Sequence, residues 1–160
     1  KNFLEKTKLF FEKNKFKIVL LVFLIFLALI LAAFLNASVK KNNILISEKY
    51  IKAGLLLSKN QNENAKNYYE EIVLSENKFY SLLALNTLLE KDLINDKEKI
   101  IKYFAKLESL NFSKDLADLI LFKKALYLIK IKDNKSAKNI LNKLINDGSN
   151  LKPIAQDLIN

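Results

Sequence analysis

Cysteine, histidine, methionine, tryptophan and arginine are missing from this chain, and it holds only two Gly and one Pro. Without His or Cys there is no zinc or blue-copper site and no iron–sulfur cluster. The same absence excludes Ser-His-Asp and Cys-His triads and any disulfide framework. Gly54 and Gly148 lie far apart, so neither a phosphate-binding loop nor a dinucleotide fingerprint can be written. Scarce Gly and Pro disfavour a strand-rich fold with many tight turns. Catalysis would have to rest on Lys, Asp, Glu, Ser or Tyr. The absence of Cys leaves the redox compartment open. What is abundant is Lys: 27 basic residues, all Lys, face 17 acidic ones, for a formal net charge of +10. The 160 residues suit one domain better than two. The first residue is Lys rather than Met, so the expectation is that further residues precede it.

The strongest signal is Ile18 to Leu35, an unbroken apolar run of 18 residues. As a helix it would extend about 27 Å, close to the hydrocarbon thickness of a bilayer. Phe16 and the aliphatic stem of Lys17 lengthen it, because Lys can reach back to the headgroups. A cleaved signal would show a shorter apolar stretch, about 7–15 residues, ending in small residues. The nearest candidate exit here, Leu35-Asn36-Ala37, begins with a bulky Leu. The expectation is a retained transmembrane helix over 18–35, a basic cytoplasmic segment over 1–17 and a helical domain over 36–160. Residues 1–17 carry six Lys and residues 36–52 carry four, which favours a cytoplasmic N-terminus. The stripe Leu4, Lys8, Phe11 and Lys15 is also compatible with a short basic helix on anionic lipid. Ala28, Ala32 and Ala33 offer a small-residue face within the anchor, without a GxxxG motif.

Beyond the anchor, apolar residues recur at i, i+3, i+4 and i+7, the helical period. Helices are expected over about 38–58, 63–75, 79–93, 97–107, 114–131 and 136–146, with a short last helix started by Pro153. Ser113 is a natural N-cap for the fifth, and Gly148 suits a left-handed stop after the sixth. Connections of two to six residues imply antiparallel helix pairs.

These pairs repeat. The turns at Asn60, Asn95 and Lys132 each lead, at the sixth position, to Ala65, Ile100 or Ala137. Four residues later stand Tyr69, Phe104 and Leu141, spaced by 35 and 37 residues. Two helices per unit of this length is the tetratricopeptide-type arrangement. Ala53 and Ala125 hold the matching small position on the first helices, and Leu88 takes that position in the middle unit. Small residues let paired helices approach, and the large ones fill the groove toward the next pair. With Leu88 and Ile100 in place of Ala, the middle pair should stand wider. The fold class is therefore all-α: an N-terminal transmembrane helix followed by a tetratricopeptide-like α-solenoid of about three repeats.

The order of basic segment, single anchor and helical hairpins resembles a bacterial family of ancillary Sec translocon subunits. The likeness is carried by the 18–35 run, Tyr50-Ile51-Lys52-Ala53-Gly54-Leu55, Glu63-Asn64-Ala65-Lys66-Asn67-Tyr68-Tyr69 and Ser136-Ala137-Lys138-Asn139-Ile140-Leu141. The resemblance implies an inner-membrane protein with a periplasmic domain. Its implied partners are the translocon, periplasmic chaperones and emerging exported proteins. The chain is short and rich in Lys and Asn compared with that family. Its 19 Asn, all-Lys basicity and abundant Ile fit an AT-rich genome.

No catalytic, cofactor-binding or metal-binding residue is expected. Glu70-Glu71 and Glu90-Lys91-Asp92 are the closest carboxylate sets in promising positions, but nothing places them in a water-poor pocket, and a solvated helix surface accounts for them. Tyr68, Tyr69, Phe79, Tyr80, Tyr103, Phe104 and Tyr127 stand at helical spacing and read first as core. Any that line an open face would suit a peptide or partner helix. The Lys-rich stretches lack the Arg that base recognition normally recruits, so nucleic acid is not an expected partner. Interaction rather than catalysis is the expected function. The alternatives are a cell-envelope scaffold in division or outer-membrane assembly, an accessory subunit of a membrane enzyme complex, and an inverted anchor with a cytoplasmic domain. The partner's identity and the oligomeric state are left open.

Overall fold

A computed structural model describes residues 3–159, with the side chains of residues 3–7 and 9–11 outside the described set. Among the described residues the chain is all-helical, with seven helices and no strand. They are α1 (Phe3–Ser58), α2 (Asn62–Val73), α3 (Lys78–Glu90), α4 (Lys97–Glu108), α5 (Lys114–Lys130), α6 (Asn134–Asn146) and α7 (Lys152–Asp157). By their contacts the residues divide into two units, Lys1–Leu45 and Ile46–Asn160.

The first unit is helical from Phe3 onward and carries the apolar run. Ile18 is half-buried against its own helix and Leu35 is 63% exposed. From Val19 to Leu35 no side chain is buried by another element. Among the described residues α1 supplies one helix long and apolar enough to cross a membrane. The boundary drawn at residue 36 falls inside α1, which continues unbroken to Ser58. No Pro interrupts it and its first Gly is Gly54, so nothing local ends the helix earlier. The Leu4–Lys8–Phe11–Lys15 stripe lies on helix, but the side chains of Leu4 and Phe11 are outside the described residues.

The second unit begins at the first buried residue, Ile46. Its helices end by a shared device. Asn60, Asp92, Lys132 and Gly148 each adopt a positive φ, between 47° and 65°, just past α1, α3, α5 and α6. In each case the next N–H returns to the carbonyl five residues back: Gln61 to Leu56 (3.0 Å), Leu93 to Leu88 (3.0 Å), Asp133 to Leu128 (2.9 Å) and Ser149 to Leu144 (3.0 Å). This left-handed stop satisfies carbonyls that the helix end would otherwise orphan. Only the last uses Gly, so the Asn, Asp and Lys positions carry roughly 1–2 kcal/mol of backbone strain each. Asp96 and Asp133 cap α4 and α6, their Oδ1 atoms accepting from the N–H groups of Lys99 (3.0 Å) and Ser136 (3.1 Å). Ser113 occupies the N-cap of α5, but its side chain makes no capping bond. Pro153 stands in the first turn of α7, where its missing N–H costs nothing.

Helix α2 packs close on α3, α5 on α6, and α6 on α7. The pair α3 and α4 approaches closely at few positions. Leu88 and Ile100 are buried in that pair, whereas Ala125 and Ala137 are buried in α5 and α6. One core cluster gathers Ala53, Ala65, Tyr69, Leu88, Ile100 and Phe104 with neighbours from α1 to α5. A second gathers Ala125 and Leu141 with Leu144 and Ala155. Ser81 is fully buried, and its hydroxyl donates to the Ile72 carbonyl (2.8 Å), tying α3 to the end of α2.

Candidate functional site

All nine residues singled out for helix packing are buried at 3% exposure or less: Ala53, Ala65, Tyr69, Leu88, Ile100, Phe104, Ala125, Ala137 and Leu141. They build the scaffold and do not face solvent. The surface features of interest lie elsewhere, on the sides of α3 and α5 that face each other across α4.

Two adjoining depressions run between α3 and α5. The first has a volume of about 330 Å³ and a floor of buried Ile94, Ile100 and Tyr127. Leu89, Leu126 and Ile131 extend its apolar lining. Around these stand Glu90, Asp92, Lys97 and Lys130, all exposed, and the half-buried Lys123. The second depression, about 340 Å³, is lined by Phe79, Leu82, Leu83, Phe112 and Leu116, with Lys78 and Asn111 beside them. Asn86 lines both, so one groove runs along α3 with an amide at its middle. The apolar lining is unusually open to water: Phe79 is 64% exposed, Leu116 41% and Leu126 40%. Large apolar side chains grouped in a groove, rather than scattered singly, mark an interaction surface.

Phe79 is held from behind by other rings. Its ring meets Tyr80 edge-on at 5.1 Å, Tyr80 packs on Tyr50 at 5.6 Å, and Tyr50 meets Tyr69 edge-on at 5.5 Å. The Tyr50 and Thr87 hydroxyls lie 3.2 Å apart, joining α1 to α3. Of the other aromatics, Tyr103, Phe104 and Tyr127 are core, and Tyr68 is half-buried under the Lys52 ammonium at 4.8 Å. Sequence spacing could not separate Phe79 from these, because all share the helical period.

The carboxylate sets resolve into ion pairs between elements. Glu71 meets Lys49 (2.8 Å), Glu70 meets Lys99 (2.6 Å) and Asp92 meets Lys130 (2.6 Å). Glu76 meets Lys106 (2.6 Å) and Glu108 meets Lys124 (2.7 Å). These are largely solvent-facing straps of small individual worth. Lys97 and Lys123, which line the groove, form no ion pair among the described residues. Among the described residues no cluster of acidic side chains is arranged to hold a metal ion.

Four groups near the core titrate above their ordinary range. Burial pushes the Tyr69, Tyr103 and Tyr127 phenols up, and the Glu70 carboxylate raises Tyr103 further. The hydrogen bond to Glu70 raises Lys99, with burial opposing. A group whose folded pKa exceeds its unfolded value stabilises the fold fully below the unfolded pKa, and that contribution is lost as pH rises through the folded one. The domain should therefore unfold at a steady temperature from about pH 6 to 9 and lose stability above about pH 10. Thermal unfolding across that range checks this, and Tyr103→Phe should make the alkaline fall shallower. An unchanged slope in Tyr103→Phe would mean that this phenol is not buried as described.

No protein-family model matches this chain, and neither a curated protein nor a solved structure matches it. Fold and surface together define a class: among the described residues, an all-helical protein with one candidate membrane-spanning helix near its N-terminus, compatible with a single-pass membrane protein. Its helical unit carries an apolar groove between two of its helices.

Proposed function

We propose that this chain is a membrane-anchored protein-interaction scaffold and that its α3–α5 groove is the surface that takes the partner. The observation that carries this reading is the groove itself: large apolar side chains, Phe79, Leu116 and Leu126, left open to water between packed helices. The helical unit is read as tetratricopeptide-like, with α1/α2, α3/α4 and α5/α6 as its pairs. In support, Ala53, Ala65, Ala125 and Ala137 are buried, and α1, α3 and α5 share one kind of helix stop. A helix pair of this kind buries its apolar faces against neighbouring pairs and leaves a continuous surface for binding. The anchor confines that surface to the membrane plane, which raises its effective concentration near membrane machinery.

The resemblance to ancillary Sec translocon subunits names the leading partners: the translocon, periplasmic chaperones and emerging exported proteins. The six Lys of residues 1–17, against four in residues 36–52, favour a cytoplasmic N-terminus and a periplasmic domain. Two experiments test the reading. Protease added to outer-membrane-permeabilised cells should digest the helical domain and spare the N-terminus. Protection until the inner membrane is broken would overturn the periplasmic placement and the family reading with it. A photoreactive phenylalanine at position 79 or 126 should crosslink in cells to translocon components, chaperones or nascent exported chains. Adducts confined to division or outer-membrane assembly proteins would assign the scaffold to cell-envelope construction instead.

A further inference from the structure

We infer that the occupant of the α3–α5 groove is an amphipathic α-helix with acidic residues beside its apolar stripe. The inference rests on the interaction reading above and specifies its ligand.

The walls decide the conformation of the occupant. The two long walls are α-helices, whose backbone N–H and C=O groups are already bonded within α3 and α5, and residues 92–100 and 111–113 complete the lining. An extended segment lying between them would bury its own backbone groups with few partners, and each unpaired one costs of order 1–3 kcal/mol. Along the centre of the groove the Asn86 amide is the polar group shared by both depressions. It can serve one peptide group, not a run of them. A helical ligand brings its backbone bonds satisfied and presents only side chains, which is the helix-in-groove mode.

The spacing of the depressions fits that ligand. On α3 the apolar lining steps from Leu82 to Leu89, seven residues, or roughly 10 Å of helix rise. On α5 it steps from Leu116 to Leu126, ten residues, or roughly 15 Å. A guest helix places same-face side chains at i+7 and i+11, roughly 10 and 16 Å from the first. One large residue in each depression, with i+3 or i+4 between them over Asn86, matches this frame.

Charge selects the flanks. The Lys130 ammonium is matched by Asp92 at 2.6 Å. That leaves Lys78, Lys97 and Lys123 along the groove against the lone carboxylate of Glu90. Lys78 donates to the Asn111 carbonyl, which does not neutralise it. An acidic flank on the guest helix meets this excess, and a basic flank is repelled by it.

The test uses the full chain in nanodiscs of zwitterionic lipid, with binding to empty nanodiscs subtracted. Three fluorescent 18-residue peptides serve as probes. One carries Leu at i, i+3, i+4, i+7 and i+11 with Glu on its flanks. One has Lys in place of Glu. One keeps the acidic composition with Leu positions scrambled and a central Pro. The acidic amphipathic peptide should bind at least about tenfold more tightly than either of the others. The double variant Lys97→Glu with Lys123→Glu should reverse the charge preference, a gain that misfolding cannot produce. Equal binding of the acidic and basic peptides, or of the helical and scrambled ones, would overturn the inference, as would a charge preference that survives the double variant. Failure here alongside crosslinks in cells from positions 79 and 126 would leave the interaction reading standing. Helix binding in nanodiscs without such adducts would overturn the proposed cellular partners and keep the helical ligand.

Discussion

Phe104→Ala will lower the stability of the helical domain by about 3–5 kcal/mol, the cost of deleting a buried aromatic side chain and leaving its cavity. Phe104 is 1% exposed and heads the large side chains that are fully buried. It stands on α4, which packs against α2, α3 and α5, so its ring is shared by the elements that frame the groove. The Tyr127 ring lies 6.1 Å away on α5 and cannot swing to fill the space without leaving the groove floor. Domains of this size have total stabilities of about 5–15 kcal/mol, so the loss would be a large fraction of the whole. Urea unfolding followed by circular dichroism gives the change directly. Leu126→Ala is the informative comparison. Leu126 is 40% exposed, so removing it should cost well under 2 kcal/mol, since less apolar surface returns to water. A Phe104→Ala midpoint as close to wild type as that of Leu126→Ala would contradict the packing of α4 at the centre of the domain.

Leu24→Asp combined with Leu27→Asp will release the protein from the membrane. Both residues lie mid-way along the apolar run, and both are open to their surroundings, at 52% and 43% exposure. An Asp near the centre of a spanning helix costs about 2.5–3.5 kcal/mol, while each large apolar residue contributes only about 0.3–0.6. Two such substitutions offset most of what the rest of the run supplies. Wild-type protein should stay in the pellet after carbonate extraction, and the double variant should move to the supernatant. Leu24→Ile with Leu27→Ile should behave as wild type. A double Asp variant that stays carbonate-resistant would mean that something other than this helix holds the chain. The mass of the membrane-bound protein adds a second check: a retained anchor keeps residues 1–17, and a cleaved signal does not.

The helices were legible because helix formation is local. The i, i+3, i+4 pattern places a helix over about 63–75, and α2 spans Asn62–Val73; the pattern over 136–146 corresponds to α6, Asn134–Asn146. Gly148 stops α6 in the left-handed conformation, which Gly adopts without a side-chain clash. Asn60, Asp92 and Lys132 do the same without Gly. Ser113 shows the limit from the other side. Its residue type and position are right for a cap, yet its hydroxyl makes no capping bond. The apolar period places a helix over about 38–58, and α1 runs through that start unbroken from Phe3 to Ser58. Composition decides which solvent surrounds a helix, but only caps and breakers end it.

The candidate site was much less legible. Leu116 and Leu126 share residue type and helix with Leu121, which packs on the second core cluster. What sets the first two apart is the gap between α3 and α5, a relation between segments nearly forty residues apart in sequence. The Glu70–Lys99 and Asp92–Lys130 pairs are likewise products of how α2, α4 and α5 are brought together. By itself the sequence determined the all-helical class and the apolar run. Those follow from backbone sterics and side-chain volume, which act over a few residues. Only the tertiary structure decided which apolar side chains stay open to water and which lysines lack a partner. Packing is a competition among all segments at once, and what is left uncovered depends on every helix able to cover it.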